Sequence, residues 1–102
     1  MDFQVIFRET FVTDLEGIVR GIALHNSDAA ARFGESVIDM AESLSFFPER
    51  FPKVRGRAGL RRFIVGRWFK VFYRVHSETK LVEILRCWDG RREVDPHLPA
   101  AV

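Results

Sequence analysis

Between Arg50 and Arg74 the chain places nine basic residues, Arg50, Lys53, Arg55, Arg57, Arg61, Arg62, Arg67, Lys70 and Arg74, with no aspartate or glutamate among them. Guanidinium and ammonium groups lacking local carboxylates suit an anionic ligand, either a phosphate backbone or an acidic protein segment. Solvated faces usually mix both signs, so an acid-free run of this length points to function. Trp68 and Trp88 fit two roles, stacking on bases or serving as ordinary interface aromatics. The three histidines, His25, His76 and His97, are too scattered for a metal site. The single Cys87 has neither a partner cysteine nor a nearby histidine and reads as a buried small hydrophobe. No metal or cofactor is expected.

The whole chain supports this reading. Its 102 residues are enough for one domain, 1–102, and 47% hydrophobic residues with ten phenylalanines are enough for a real core. A net charge of +2 conceals a division. Residues 1–49 hold nine acidic and three basic residues, a balance of −6, while 50–102 hold thirteen basic and five acidic, a balance of +8. One cysteine fits a reducing compartment, and no stretch reaches the ~20 apolar residues of a membrane span. The opening MDFQVIFRET lacks the layout of a signal peptide, so a cytoplasmic protein with no membrane partner is expected.

The elements follow from period and punctuation. Phe3, Val5 and Phe7 alternate as the inward face of a short strand. Phe11, Leu15, Ile18 and Ile22 then fall at helical spacing over about residues 9–24, with Gly17 and Gly21 weakening that helix by ~1 kcal/mol each. Asn26 or Ser27 caps a second helix whose apolar face is Phe33, Val37, Met40, Ala41 and Leu44, ending before Pro48. Residues 48–59 read as a loop. Strands at about 60–66, 68–76 and 80–88 then form an antiparallel meander. In the middle strand Phe69, Val71, Tyr73 and Val75 belong under the helices, and Trp68, Lys70, Phe72 and Arg74 form an exposed face. Val82, Ile84, Leu85 and Cys87 do not alternate cleanly, so the facing of the last strand stays open. The expected fold is α+β, β-α-α-β-β-β, with a helical hairpin packed on one face of an antiparallel sheet.

This order, with "VTDLEGIVRGI", "NSDAAARF", "LRRFIVGRWFKVFYRV" and "VEILRCWDGRRE" in sequence, resembles the RelE/ParE superfamily of bacterial type II toxins over nearly the whole chain. The resemblance implies a cognate acidic, ParD-like antitoxin in a hetero-oligomeric complex, meeting Phe11, Leu15, Phe33 and Val37 with Arg61, Arg62 and Arg74. It also implies one of two targets. RelE-like members are ribonucleases that usually cut mRNA on the ribosome; the matching residues here are Arg61 or Arg62, Lys70 and Arg91, with His97 moving the proton and Asp89 or Asp95 as substitutes. ParE-like members poison DNA gyrase without nuclease chemistry. Target contacts of either kind would fall on Arg61, Arg62, Arg67, Lys70, Arg74, Trp88, Arg91 and Arg92.

The exit "ILRCWDGRRE" is similar to the Ile-Leu-x-x-x-His-Gly-Arg-Arg pattern common in ParE-like toxins, with Trp88-Asp89 where valine or leucine and then histidine are usual. The only tyrosine, Tyr73, sits on the inferred core face, and His97 lies behind Pro96 in a tail that reads as loosely held. The preferred expectation is a plasmid-stabilisation toxin acting on gyrase. A ribosome-dependent endoribonuclease and an inactive interaction domain that kept the fold are the alternatives.

Overall fold

In the computed structural model, which describes residues 2–92, 94 and 96–98, the chain runs β1 (Gln4–Phe7), α1 (Glu9–Ala23), α2 (Ser27–Glu42), β2 (Leu60–Val65), β3 (Phe69–His76) and β4 (Leu81–Asp89). Two single 3-10 turns, Ser43–Ser45 and Pro48–Arg50, follow α2. Asn26 caps α2, its side chain accepting from the Ala29 N–H at 2.9 Å. The sheet order is β1-β4-β3-β2. The last three strands form the expected antiparallel meander, but β1 pairs in parallel with β4, Val5 opposite Val82 and Phe7 opposite Ile84. The sheet is therefore mixed, because the helical hairpin carries the chain across the sheet before the meander returns to β1.

Both helices pack on one face. Phe11, Leu15, Val37, Ala41 and Leu44 meet Phe63, Val71, Tyr73, Val82, Ile84 and Cys87 in the main core, with Phe3, Val5 and Phe7 packed against it. Phe33 is half-buried, its ring 4.8 Å from that of Phe69. Met40 departs from the expected apolar face: it is exposed, near Ser43 and Arg50. The Tyr73 hydroxyl donates to the Pro48 carbonyl at 2.6 Å, and burial pushes this phenol up to about 12.

The irregular pattern of β4 has a local cause. Phe72 pairs with Arg86 and Tyr73 with Ile84, leaving Leu85 as an extra residue in a β-bulge. Val82, Ile84 and Cys87 thereby stay in the main core, while Leu85 joins a second, smaller core on the outer face with Leu60, Phe72, Val54 and Leu98. The outer face is therefore not the open surface that strand alternation suggests. The loop bearing Val54 and the tail residue Leu98 cover its centre, and Phe72 is fully buried there.

Among the described residues two non-glycine positions, Phe47 and Lys80 (φ 55), hold left-handed backbone. Phe47 adopts φ 52 and ψ 58, the left-handed region, at a cost of about 1–2 kcal/mol for a residue with a Cβ.

Candidate functional site

Adjacent residues on a strand point to opposite faces, and this divides the expected cation cluster. Arg61 lies on the helix side of β2 with Phe63, where its guanidinium donates to the carbonyls of Glu49 (3.1 Å) and Phe51 (2.7 Å) and stands 3.8 Å from the Glu49 carboxylate. It latches the loop before β2. Arg62 lies on the outer face, in register with Phe72, and Lys70 and Arg74 share that face. Arg61 therefore does not converge with Arg62, Lys70 and Arg74. Arg67 is exposed in the β2–β3 turn, where Gly66 supplies the left-handed backbone at φ 65.

Arg74 finds a counter-charge on the neighbouring strand. Glu83 of β4 is the only buried charged residue among those described, at 3% exposure, and it faces Arg74 across the sheet. Its carboxylate takes the Arg74 guanidinium at 2.9 Å, Arg8 Nε at 2.6 Å, and the His76 ring. Burial alone would raise the Glu83 pKa, but hydrogen bonds from His76, Arg8 and Arg74 outweigh it and bring the value down to about 2.

Asp14 of α1 plays the same part for Arg86, with contacts of 2.6 and 3.0 Å. The same carboxylate also accepts the Cys87 N–H at 3.1 Å, and the Thr10 hydroxyl donates to the Leu85 carbonyl at 2.8 Å. Side chains of α1 thus satisfy the edge of β4 where β1 has ended. Burial, followed by the nearby Asp14 charge, pushes the Cys87 thiol up to about 12, consistent with an inert small hydrophobe.

Beside these pairs a cleft of about 410 Å³ opens, lined by Arg8, Thr10, Arg74, Glu83, Arg86 and His97. The tail that carries His97 is not loose at its described residues. Pro96 and Leu98 are buried, Arg57 donates to the Leu98 carbonyl at 3.0 Å and Arg86 to that of His97 at 3.2 Å, while the His97 ring is exposed. Asp95 lies outside the described residues.

At the far end of β4 the chain leaves through Gly90, whose N–H donates to the Trp68 carbonyl at 2.8 Å. A Cβ there would lie 2.2 Å from that carbonyl oxygen, so only glycine fits. Asp89 takes the Arg91 backbone N–H at 3.0 Å and its guanidinium at 2.7 Å; chiefly through that side-chain bond, its carboxyl falls to about 2. Asp89 is therefore a turn-closing carboxylate and a poor proton acceptor near neutral pH. The Arg91 guanidinium lies 4.5 Å from the Trp68 ring centre, and those of Arg92 and Arg86 lie 4.4 and 5.3 Å from that of Trp88. The Trp88 indole N–H is bound to the Val94 carbonyl at 3.0 Å. Base stacking on Trp88 would have to displace these guanidinium groups.

Residues 5–94 match the family described as the ParE toxin of the type II toxin-antitoxin system parDE. The chain belongs to this family. Among solved structures, a chain of the toxin-antitoxin complex RelBE2 from Mycobacterium tuberculosis is 25% identical, with a TM-score of 0.68 over 87% of this chain and 99% of that one. The chromosomal ParDE system of P. aeruginosa gives 19% identity and a TM-score of 0.71 over 85% of this chain and 95% of that one. An arginine double mutant of the E. coli toxin RelE in its free state gives 14% and 0.52 over 87% and 84%. These last two likenesses concern the fold. A comparison with curated protein sequences finds no match.

The ParE-family fold settles which sequence-expected residues are available. Phe11 and Val37 are fully buried and Leu15 nearly so, because they build the interface between helices and sheet and leave no surface for a partner. Arg91 and Arg92 are exposed at the exit. Glu83, Asp14, Arg8 and Arg86 were not singled out by residue type. The signal for Glu83 was its place opposite Arg74, which appears only once the hairpin register is known. Among the described residues no cluster could hold a metal ion, and no helix is long and apolar enough to cross a membrane.

Proposed function

We propose that this ParE-family toxin inhibits growth by binding DNA gyrase through the exit of β4, and that a cognate acidic antitoxin neutralises it. One observation carries the choice of target. Every guanidinium that shares a cleft with His97 is held by a carboxylate of the same chain, Arg8 and Arg74 by Glu83 and Arg86 by Asp14. A phosphodiester entering there would meet Glu83 beside the arginines, and stabilisation of a developing anionic transition state needs donors aimed at it with their charge available. The buried Tyr73 phenol is committed to Pro48 and cannot serve instead. At the exit Arg91, although held by Asp89, and Arg92 both stand exposed over two indoles, a surface of the composition that binds proteins.

A ribosome-dependent ribonuclease is the second reading, favoured by the exposed imidazole of His97 lying in that arginine-lined cleft. Expression of the toxin without antitoxin, scoring chromosomal breaks and mRNA cleavage in the same culture, separates the two. Breaks with intact mRNA are expected; ribosome-dependent cleavage by the purified protein would reverse the choice.

A further inference from the structure

With Phe11, Leu15 and Val37 buried and Phe33 half-buried, the well-exposed apolar surface open to a partner lies elsewhere on the toxin. The exposed large apolar side chains Val12, Leu24, Ile64 and Val94 are dispersed over separate elements. One corner gathers the rest. Phe46 and Phe47, between the two 3-10 turns, are 57% and 70% exposed, their rings edge to face with centres 5.0 Å apart, and Met40 is exposed close by. A groove of about 360 Å³ opens beside them against Phe3, Pro48, Ser77 and Lys80.

This aromatic pair is held in place before any partner arrives. The Arg50 guanidinium donates to the carbonyls of Ser43 (3.3 Å), Phe46 (2.9 Å) and Phe47 (3.3 Å) and to the Ser43 hydroxyl. The Pro48 carbonyl is tied from below by Tyr73. Phe47 keeps its left-handed backbone although glycine would relieve it. Exposed aromatics fixed in this way lose little freedom on association, which is the character of a binding hot spot.

Charge narrows the occupant. The Lys80 ammonium lies 5.0 Å from the Phe3 ring centre, and among the described residues no carboxylate pairs with it. Glu49, on the same rim, is turned toward Arg61. The groove thus offers a cation beside an apolar floor.

We propose that this corner anchors the antitoxin. An acidic segment inserts an aromatic or aliphatic side chain among Phe3, Phe46 and Phe47 and sets a carboxylate against Lys80. The inference rests on the antitoxin reading above. The nine-residue β4 separates this corner from the Gly90 exit, roughly 30 Å at the rise of a strand, so anchor and target surface are distinct.

The test is titration calorimetry of the purified toxin against a purified acidic antitoxin, chosen as the short gene product whose co-expression restores growth to cells making the toxin. The variants are Phe46→Ser with Phe47→Gly, and Lys80→Glu. The glycine removes backbone strain, so a native circular dichroism spectrum is expected for the double variant. Its dissociation constant should rise about 100-fold or more, that of Lys80→Glu about 10-fold, and that of Arg92→Glu should change less than either. Wild-type affinity in the natively folded double variant overturns the proposal. If that variant binds normally but ceases to self-associate, the occupant is a second copy; if it binds normally but loses toxicity, the occupant is the target; both overturn the antitoxin assignment. No binding by the wild-type toxin overturns the antitoxin reading and this site with it.

Discussion

Glu83 faces Arg74 directly across the β3–β4 pair, and its buried carboxylate lies 2.9 Å from that guanidinium while also holding Arg8 and His76. Removing the acid deletes the one carboxylate that Arg74, Arg8 and His76 share. Glu83→Ala should therefore cost about 3 kcal/mol in urea unfolding, as losing one partner of a buried pair does. The pH dependence has a definite sign. Because Glu83 titrates lower in the folded chain than its ordinary value of 4.5, its stabilisation is fully present above about 4.5 and is lost as pH falls toward 2. Unfolding free energy should decline by on the order of 3 kcal/mol across that window, and Glu83→Gln should flatten the decline. An equal pH slope in wild type and Glu83→Gln would show that other carboxylates carry it.

Gly90 permits the approach of the β4 exit to the β2–β3 turn, since a Cβ would stand 2.2 Å from the Trp68 carbonyl oxygen. Backbone cannot yield there as a flexible side chain would. Gly90→Ala should destabilise by about 2 kcal/mol, in the range for overpacking. It should also disturb the placing of Arg91 over Trp68, measurable as a change in tryptophan fluorescence. An unchanged denaturation midpoint would mean that the exit relaxes freely.

Gly17 and Gly21 have the opposite character. Nothing lies within 4 Å of a Cβ built at either. The four-residue spacing therefore serves no contact among the described residues, and Gly17→Ala and Gly21→Ala should each stabilise α1 by up to ~1 kcal/mol. Thermal melts of the single variants check this, and a lower Tm for either would show that an added methyl group meets a neighbour there.

How far the sequence could be read depends on whether local pattern or long-range register decides a residue's surroundings. Strand alternation placed Val71, Tyr73 and Val75 under the helices, and helical spacing placed Phe11 and Leu15 against them. The same reasoning left the facing of β4 open, because the bulge at Leu85 breaks the alternation of Val82, Ile84, Leu85 and Cys87 and residue type alone does not say where the extra residue lies. It also assigned Phe11, Leu15 and Val37 two incompatible roles, as core and as partner anchors; burial decides for the core. The apparent lack of counter-charge around Arg74 was an effect of counting along the chain. Its partner lies nine residues away but directly opposite, and Arg86 is neutralised by Asp14 from 72 residues away. The strained Phe46–Phe47 corner gives no signal in hydropathy, since two phenylalanines before a proline read equally well as core.

Proton transfer separates the two target readings. A ribonuclease needs a group to take the 2′-hydroxyl proton and a group to protonate the leaving oxygen, and cations around a phosphate do not replace them. Asp89 is held ionised by Arg91, and Tyr73 is pushed up to about 12 in the core, leaving His97 and Glu9 as the exposed titratable side chains of the arginine-lined cleft. If the toxin cuts mRNA, His97→Ala should lower its toxicity by ~10²-fold or more, the usual contribution of an acid–base group. If it poisons gyrase, His97→Ala should stay toxic, while Arg91→Glu with Arg92→Glu should disarm it, because those side chains stand exposed on the indoles where a protein would dock. Charge reversal of Arg91 also breaks its link to Asp89, so Arg92→Glu alone is the cleaner variant and should still weaken supercoiling inhibition several-fold. The expected pattern is toxicity retained in His97→Ala and lost in the Arg91–Arg92 reversal, read as colony counts after induction alongside a gyrase supercoiling assay. Loss of toxicity in His97→Ala with intact folding would move the activity to the arginine-lined cleft.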